Sequence, residues 1–137
     1  MPVGQTKDAG FQIGVSRTVA GQPDVVWELL TGAVGLAVWL GEGAVLGTER
    51  GTPYRTADGT SGQLRSRHAV DRVRLTWRPA SWSHDTTLQV TVRPGAEGRT
   101  SVRFHQDRLA GPEEREQQRA HWAGVLDRLE RELLSGR

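Results

Sequence analysis

The chain contains no cysteine and a single lysine, Lys7. Without thiols there are no disulfides, no thiolate metal ligands and no cysteine nucleophile, and nothing argues for an oxidising compartment. No apolar run approaches the roughly 20 residues needed to cross a bilayer. The opening segment, residues 1–10, is polar and lacks the basic region and apolar core of a secretory signal, so the expectation is a flexible lead-in and a cytoplasmic setting. Histidines stand far apart, at 68, 84, 105 and 121. None has a partner at the spacing of a helical zinc site, and neither a metal nor a cofactor is expected. No serine sits in a glycine-flanked elbow, so hydrolase-type nucleophilic catalysis has no signature. Internal repeats, low-complexity tracts and linkers are absent as well.

What remains is one domain's worth of chain. A protein of 137 residues buries roughly two thirds of the surface its unfolded form exposes, which is enough for a core without staples. The net charge of +2 is unevenly spread: residues 55–108 alone carry +5, from ten arginines against five acidic groups. Arg65, Arg67, Arg72, Arg74, Arg93 and Arg103 are expected on the outer face of a sheet. Such a stripe resembles a phosphate-binding surface. It is equally what a solvated antiparallel face contains, and nucleic acid ranks last among the expected partners.

Along the chain, Phe11, Ile13, Val15 and Val19 alternate with polar or small residues, the period of a half-buried strand, interrupted by Arg17. Gln22-Pro23-Asp24 stops that strand. Val25 to Leu30 fits a short helix ending at Thr31-Gly32, and Val34 to Leu40 a second. Ala44-Val45-Leu46 reads as a brief edge strand between glycines. Tyr54 to Thr56 and Gly62 to Ala69 flank the turn dipeptide Asp58-Gly59. Arg72 to Arg78, Thr86 to Arg93 and Arg99 to Gln106 then alternate as a meander. Residues 112–134 close the chain as one long helix. Pro112 suits its first turn, Glu113, Glu114 and Glu116 complement its positive end, and Ser135-Gly136 stops it. Trp122, Leu126, Leu129 and Leu133 form its apolar stripe, with Val125 beside them. Glu113 to Arg119 contains no large apolar residue, so this half is expected to overhang solvent or line a polar entrance.

The run from Ala20 to Thr31, Ala-Gly-Gln-Pro-Asp-Val-Val-Trp-Glu-Leu-Leu-Thr, resembles the opening of SRPBCC proteins, the START-like or helix-grip superfamily. Asp71 to Trp77 and His121-Trp122 with the leucines after it resemble the branch related to the activator of the heat-shock protein 90 ATPase. The likeness extends from about Phe11 to Leu134. It implies an α+β helix-grip fold in a single domain, residues 11–134: a curved antiparallel sheet around the C-terminal helix, with two short helices closing one end of a cavity. It also implies three function classes: carriage of a small hydrophobic ligand, cyclase- or hydrolase-like chemistry in the same cavity, or co-chaperone-like ATPase activation.

Sequence parity proposes the cavity lining. Leu75 and Trp77 come from one strand, Leu88 and Val90 from the next, Phe104 from the last, and Trp122 and Leu126 from the helix. Each is also an ordinary core residue. Trp39, next to glycines at the end of the second short helix, is the expected gate. Arg17 would point inward and demands an anionic partner, either a carboxylate such as Glu42 or an acidic group on the ligand. Tyr54 and His68 complete the polar candidates, and His68 with Asp71 is the one acid/base pair that suggests itself. Gln106 occupies an inward position at which related sequences tend to have histidine, which argues against acid/base chemistry. The expectation is therefore non-catalytic binding of a small hydrophobic molecule, with or without an acidic group, with self-association into a homodimer left open.

Overall fold

A computed structural model of the chain describes residues 5–6 and 10–135. Most of the expected flexible lead-in lies outside the described residues, but Gln5–Thr6 forms a two-residue strand, β1. It pairs with Gly10 and Phe11. The remaining elements are β2 (Gly10–Val19), α1 (Pro23–Thr31), α2 (Ala33–Trp39), β3 (Pro53–Arg55), β4 (Ser61–His68), β5 (Arg72–Trp77), β6 (Thr86–Pro94), β7 (Thr100–Leu109) and α3 (Pro112–Leu134). The strands form one antiparallel sheet in the order β1-β2-β7-β6-β5-β4-β3. Strands that are neighbours in sequence are neighbours in space, except that β2 pairs with β7. That single long-range pairing joins the first long strand of the chain to the last.

Helix α3 lies along β2 and runs in the same direction. Near its start the Arg115 Nε donates to the Gln12 carbonyl at 2.8 Å. In its middle Asp127 receives Arg17. Near its end Leu133 closes on Gly21. The face it presents to the sheet is Gln118, Trp122, Val125, Leu126 and Leu129, all buried. Opposite them stand Leu88, Val90 and Val92 of β6, Val102 and Phe104 of β7, and Val73 and Leu75 of β5, each at most 2% exposed. Burying one such side chain contributes roughly 1.5–3 kcal/mol, so this contact dominates the stability of the fold. The architecture is the expected α+β helix-grip arrangement.

Two local expectations are corrected. Residues 44–46 form no strand. Ala44 and Leu46 point into the core while Val45 is 76% exposed, so the alternation is real, but no partner strand lies alongside. The carbonyls of Leu46 and Gly47 instead accept from Arg67, at 3.3 and 3.0 Å. This is also why Arg67 leaves the expected outer-face set. Leu64 faces Leu75 and Ser66 faces Arg74, so β4 carries one extra residue, a bulge at Arg65. Beyond a bulge the parity of a strand reverses, and Arg67 falls opposite inward-facing Val73.

Candidate functional site

Leu75, Leu88, Val90, Phe104, Trp122 and Leu126 converge between sheet and helix with exposures of 2% or less, and Trp77 joins them at 6%. Ladder register explains the convergence, since Leu75 opposes Leu88 and Val90 opposes Phe104, while Trp77 lies one step further along β5. Aromatic rings fill the space enclosed. The Phe104 ring stacks on Trp122 at 4.8 Å and 8° between planes. Trp39 leans on Phe104 at 6.0 Å, and Trp77 meets Trp122 at 5.6 Å. In this structure the residues proposed as lining pack against one another.

A polar chain runs through this interior. Gln106, fully buried, accepts from Trp122 Nε1 at 2.8 Å and from Gln118 Nε2 at 3.1 Å through the same oxygen. Its amide nitrogen donates to Thr86 Oγ1 at 2.9 Å, and that hydroxyl donates to the Trp77 carbonyl at 2.6 Å. All of these partners are neutral and none titrates near pH 7. The amide of Gln106 is thus a structural connector with no proton to exchange.

The polar candidates do not meet. Arg17 is paired with Asp127, and with Glu130 at 3.6 Å, both on α3. Its anionic partners are therefore carboxylates of the helix. Tyr54 is buried, its hydroxyl donates to the Thr76 carbonyl at 2.5 Å, and burial pushes its pKa far up. His68 is exposed at the end of β4. The Asp71 carboxylate expected beside it instead holds Arg93, and also Arg72 at 3.5 Å.

The cleft nearest the aromatic interior opens at its end, where α2 and the segment after it face α3. About 300 Å³ in volume, it is lined by Trp39, Trp77, His121, Arg128, Glu42 and Asp58, with Ala37, Val38, Leu40, Gly41 and Thr60 between them. The size lies at the lower limit for a small-molecule site. Trp39 is held there by a hydrogen bond from its indole nitrogen to the Leu30 carbonyl at 2.8 Å, so the expected gate is anchored. Trp77 has a buried indole nitrogen with no acceptor among the described residues. His121 covers Trp77 and Trp122, with ring centres 6.1 and 4.5 Å away, while its outer edge stays exposed. Desolvation against those rings, and then the charge of Arg128, lower its pKa, so the imidazole is neutral at pH 7. Hydrogen bonds from the Thr56 hydroxyl and the Thr60 amide hold Asp58 below its ordinary pKa, so it is ionised. The cleft therefore combines aromatic walls, a neutral imidazole, one guanidinium and two carboxylates. Of the expected site residues, Trp39 and Trp77 line it. His121, Arg128, Glu42 and Asp58 were missed, because they come from a helix flank and two loops where no periodicity marks them.

The loop before β6 also reaches the aromatic interior. Trp82 folds edge-on against Trp77 at 5.4 Å and stacks on His84 at 5.0 Å. His84 Nε2 meets Glu114 Oε1 at 2.8 Å, and the same oxygen accepts the Ala110 amide at 3.0 Å. The charged first half of α3 is thus not idle in solvent. Arg115 and Glu114 tie it to β2 and to the Trp82 loop, and Gln118 enters the core.

Comparison with known proteins follows this architecture. Among solved structures, DynU16, a protein of the dynemicin biosynthetic locus, superimposes with a TM-score of 0.78 at 23% identity, over 92% of this chain and 48% of that one. The chain thus spans about half the length of that protein. CalU16 from Micromonospora echinospora matches at 0.74 and 16% identity, over 89% and 76%. The Aha1 protein from Colwellia psychrerythraea, solved as a dimer, matches at 0.69 and 18% identity, over 87% and 92%. At these identities the likeness is one of fold. No protein of curated function matches the sequence. No helix among the described residues is long and apolar enough to cross a membrane. The family model described as Activator of Hsp90 ATPase homolog 1-like protein matches residues 20–133, and with a match of that extent the chain belongs to this family.

Proposed function

We propose that the protein binds, without chemistry, a small and largely apolar molecule at the end of the grip, in the cleft lined by Trp39, Trp77 and His121. The observation that carries this reading is the Trp77 indole nitrogen, a buried donor without an acceptor among the described residues, in a side chain that lines the cleft. Leaving such a donor unmet costs about 1–3 kcal/mol, which a ligand carrying an oxygen acceptor would recover. The aromatic walls favour a flat ring system, and the neutral imidazole of His121 is a second hydrogen-bonding group. An acidic group is not part of the proposal. Arg17 is engaged by Asp127 and Glu130, and the cleft holds the carboxylates of Glu42 and Asp58 against the single guanidinium of Arg128.

Absence of chemistry rests on the dispersal of Arg17, Tyr54 and His68 and on the untitratable Gln106 at the centre of the interior. The test is titration with 1-naphthol, a neutral flat molecule with one hydroxyl, followed by tryptophan fluorescence. Saturable quenching that Trp77→Phe weakens at least fivefold supports the reading. Equal quenching in that variant overturns it.

A further inference from the structure

A second cleft, of about 550 Å³, lies on the opposite, outer face of the sheet, and its lining is of another character. Arg50, Arg65, Arg74 and Arg108 converge on it from four separate segments, with the hydroxyls of Ser66, Thr76 and Thr87 between them and one carboxylate, Asp85. Most arginines elsewhere are satisfied within the protein. Arg17 meets Asp127, Arg72 and Arg93 meet Asp71, Arg119 meets Glu116, and Arg67 and Arg99 cap backbone carbonyls. Among the described residues none of the four cleft arginines forms an ion pair. Arg74 has only a 3.5 Å contact to the Gln89 amide.

Two irregularities of the sheet deliver these side chains. The bulge in β4 falls at Arg65. A second register shift separates the pairs Phe11↔Leu109 and Ile13↔Gln106, giving β7 one residue more than β2. Within that extra segment Arg108 adopts a φ of +64°, a left-handed conformation that disfavours any side chain. Bulges re-aim side chains, and strained backbone collects at functional sites. Here two independent bulges end in arginines on the rim of one cleft.

We propose that this cleft binds a small anion carrying two or more phosphate groups. Guanidinium forks match phosphate oxygens bidentately, and three hydroxyls add donors without charge. Asp85 faces away from this chemistry only in part, being 3.9 Å from Arg78. Asp107, in the same sheet row as Thr87, is the other nearby acid. The lining still carries four guanidiniums against one carboxylate. A nucleic-acid strand fits less well. The lining contains no aromatic ring to stack a base. Further along the face Asp71 neutralises Arg72 and Arg93, so that, with Arg67 capping backbone carbonyls, Arg103 is the one other arginine of the expected outer stripe beyond the cleft that forms no ion pair among the described residues.

The test is calorimetric titration of the full chain with sodium tripolyphosphate at low salt. Saturable binding at one site is expected, weakened at least tenfold in Arg65→Gln and in Arg108→Gly. Glycine accepts the positive φ, so Arg108→Gly removes the guanidinium while keeping the fold, and its melting temperature should not fall. Arg93→Gln, outside the cleft, should change affinity less than twofold. Absence of saturable binding, or equal weakening in Arg93→Gln, overturns the proposal. So does a 20-base-pair duplex that binds more tightly than tripolyphosphate and is indifferent to Arg108→Gly. Tripolyphosphate should leave the naphthol-dependent fluorescence unchanged, which separates this site from the one at the grip.

Discussion

Replacing Gln106 by leucine keeps the volume of a fully buried side chain and removes both of its hydrogen-bonding functions. The oxygen it loses serves two donors, Trp122 Nε1 at 2.8 Å and Gln118 Nε2 at 3.1 Å. Each donor stranded in the core costs about 1–3 kcal/mol. Gln118 is 6% exposed and near the open half of α3, so its amide recovers part of its loss, whereas Trp122, fully buried and clamped on Phe104, recovers none. Leucine returns some apolar burial. The expected net destabilisation is about 3 kcal/mol, or a fall in melting temperature of roughly 10 °C for a chain of this size. Urea unfolding followed by tryptophan fluorescence measures it. Adding Gln118→Leu removes one stranded donor. It should therefore cost about 1 kcal/mol less in the Gln106→Leu background than in the parent, the coupling expected of two side chains that share a hydrogen bond. A Gln106→Leu protein within 0.5 kcal/mol of the parent, or strict additivity in the cycle, would refute the network as described.

Three further outcomes follow from the same contacts. Arg17→Ala should cost less than about 1 kcal/mol by urea unfolding, because the Arg17 and Asp127 side chains are 31% and 57% exposed and such pairs are screened by water and salt. Glu114→Ala removes the carboxylate that holds both His84 and the Ala110 amide, and should lower stability by about 1 kcal/mol while speeding hydrogen exchange in residues 79–85. His121 and His105 both have pKa values lowered in the folded state, each chiefly by desolvation. The unfolded chain then binds more protons just below its histidine pKa of about 6.5, so stability is full above that pH and declines as pH falls below it. A His121→Gln variant should show a shallower decline in melting temperature between pH 7 and pH 5.5.

The sequence made the scaffold legible where a periodic signal coincided with an end signal. Pro112, the first-turn glutamates and the stripe from Trp122 to Leu129 marked α3 to the residue, and strict alternation marked β5, β6 and β7. Parity failed wherever the ladder carried an extra residue: Arg67 was assigned to the wrong face because nothing in Gln63 to His68 announces a bulge at Arg65. The alternation of Ala44, Val45 and Leu46 was real but did not mean a strand, because a strand requires a neighbour that only tertiary structure supplies. The aromatic lining was readable one residue at a time. Whether it enclosed space depended on ring orientation, and the stacking of Phe104 on Trp122 has no signature in sequence. The cleft at the grip was least accessible, since Glu42, Asp58, His121 and Arg128 come from three segments that meet only after the sheet closes.

Chemical-shift mapping at the indole nitrogens tests the central reading most directly. Five tryptophans give five resolvable N–H signals, assignable by substitution. Titration with 1-naphthol should move the Trp77 signal saturably and downfield, as its unpartnered donor gains an acceptor, with a smaller shift at Trp39 and almost none at Trp27. Shifts of similar size at all five, or a Trp77 signal that does not move while Trp82 does, would contradict a ligand site at the end of the grip.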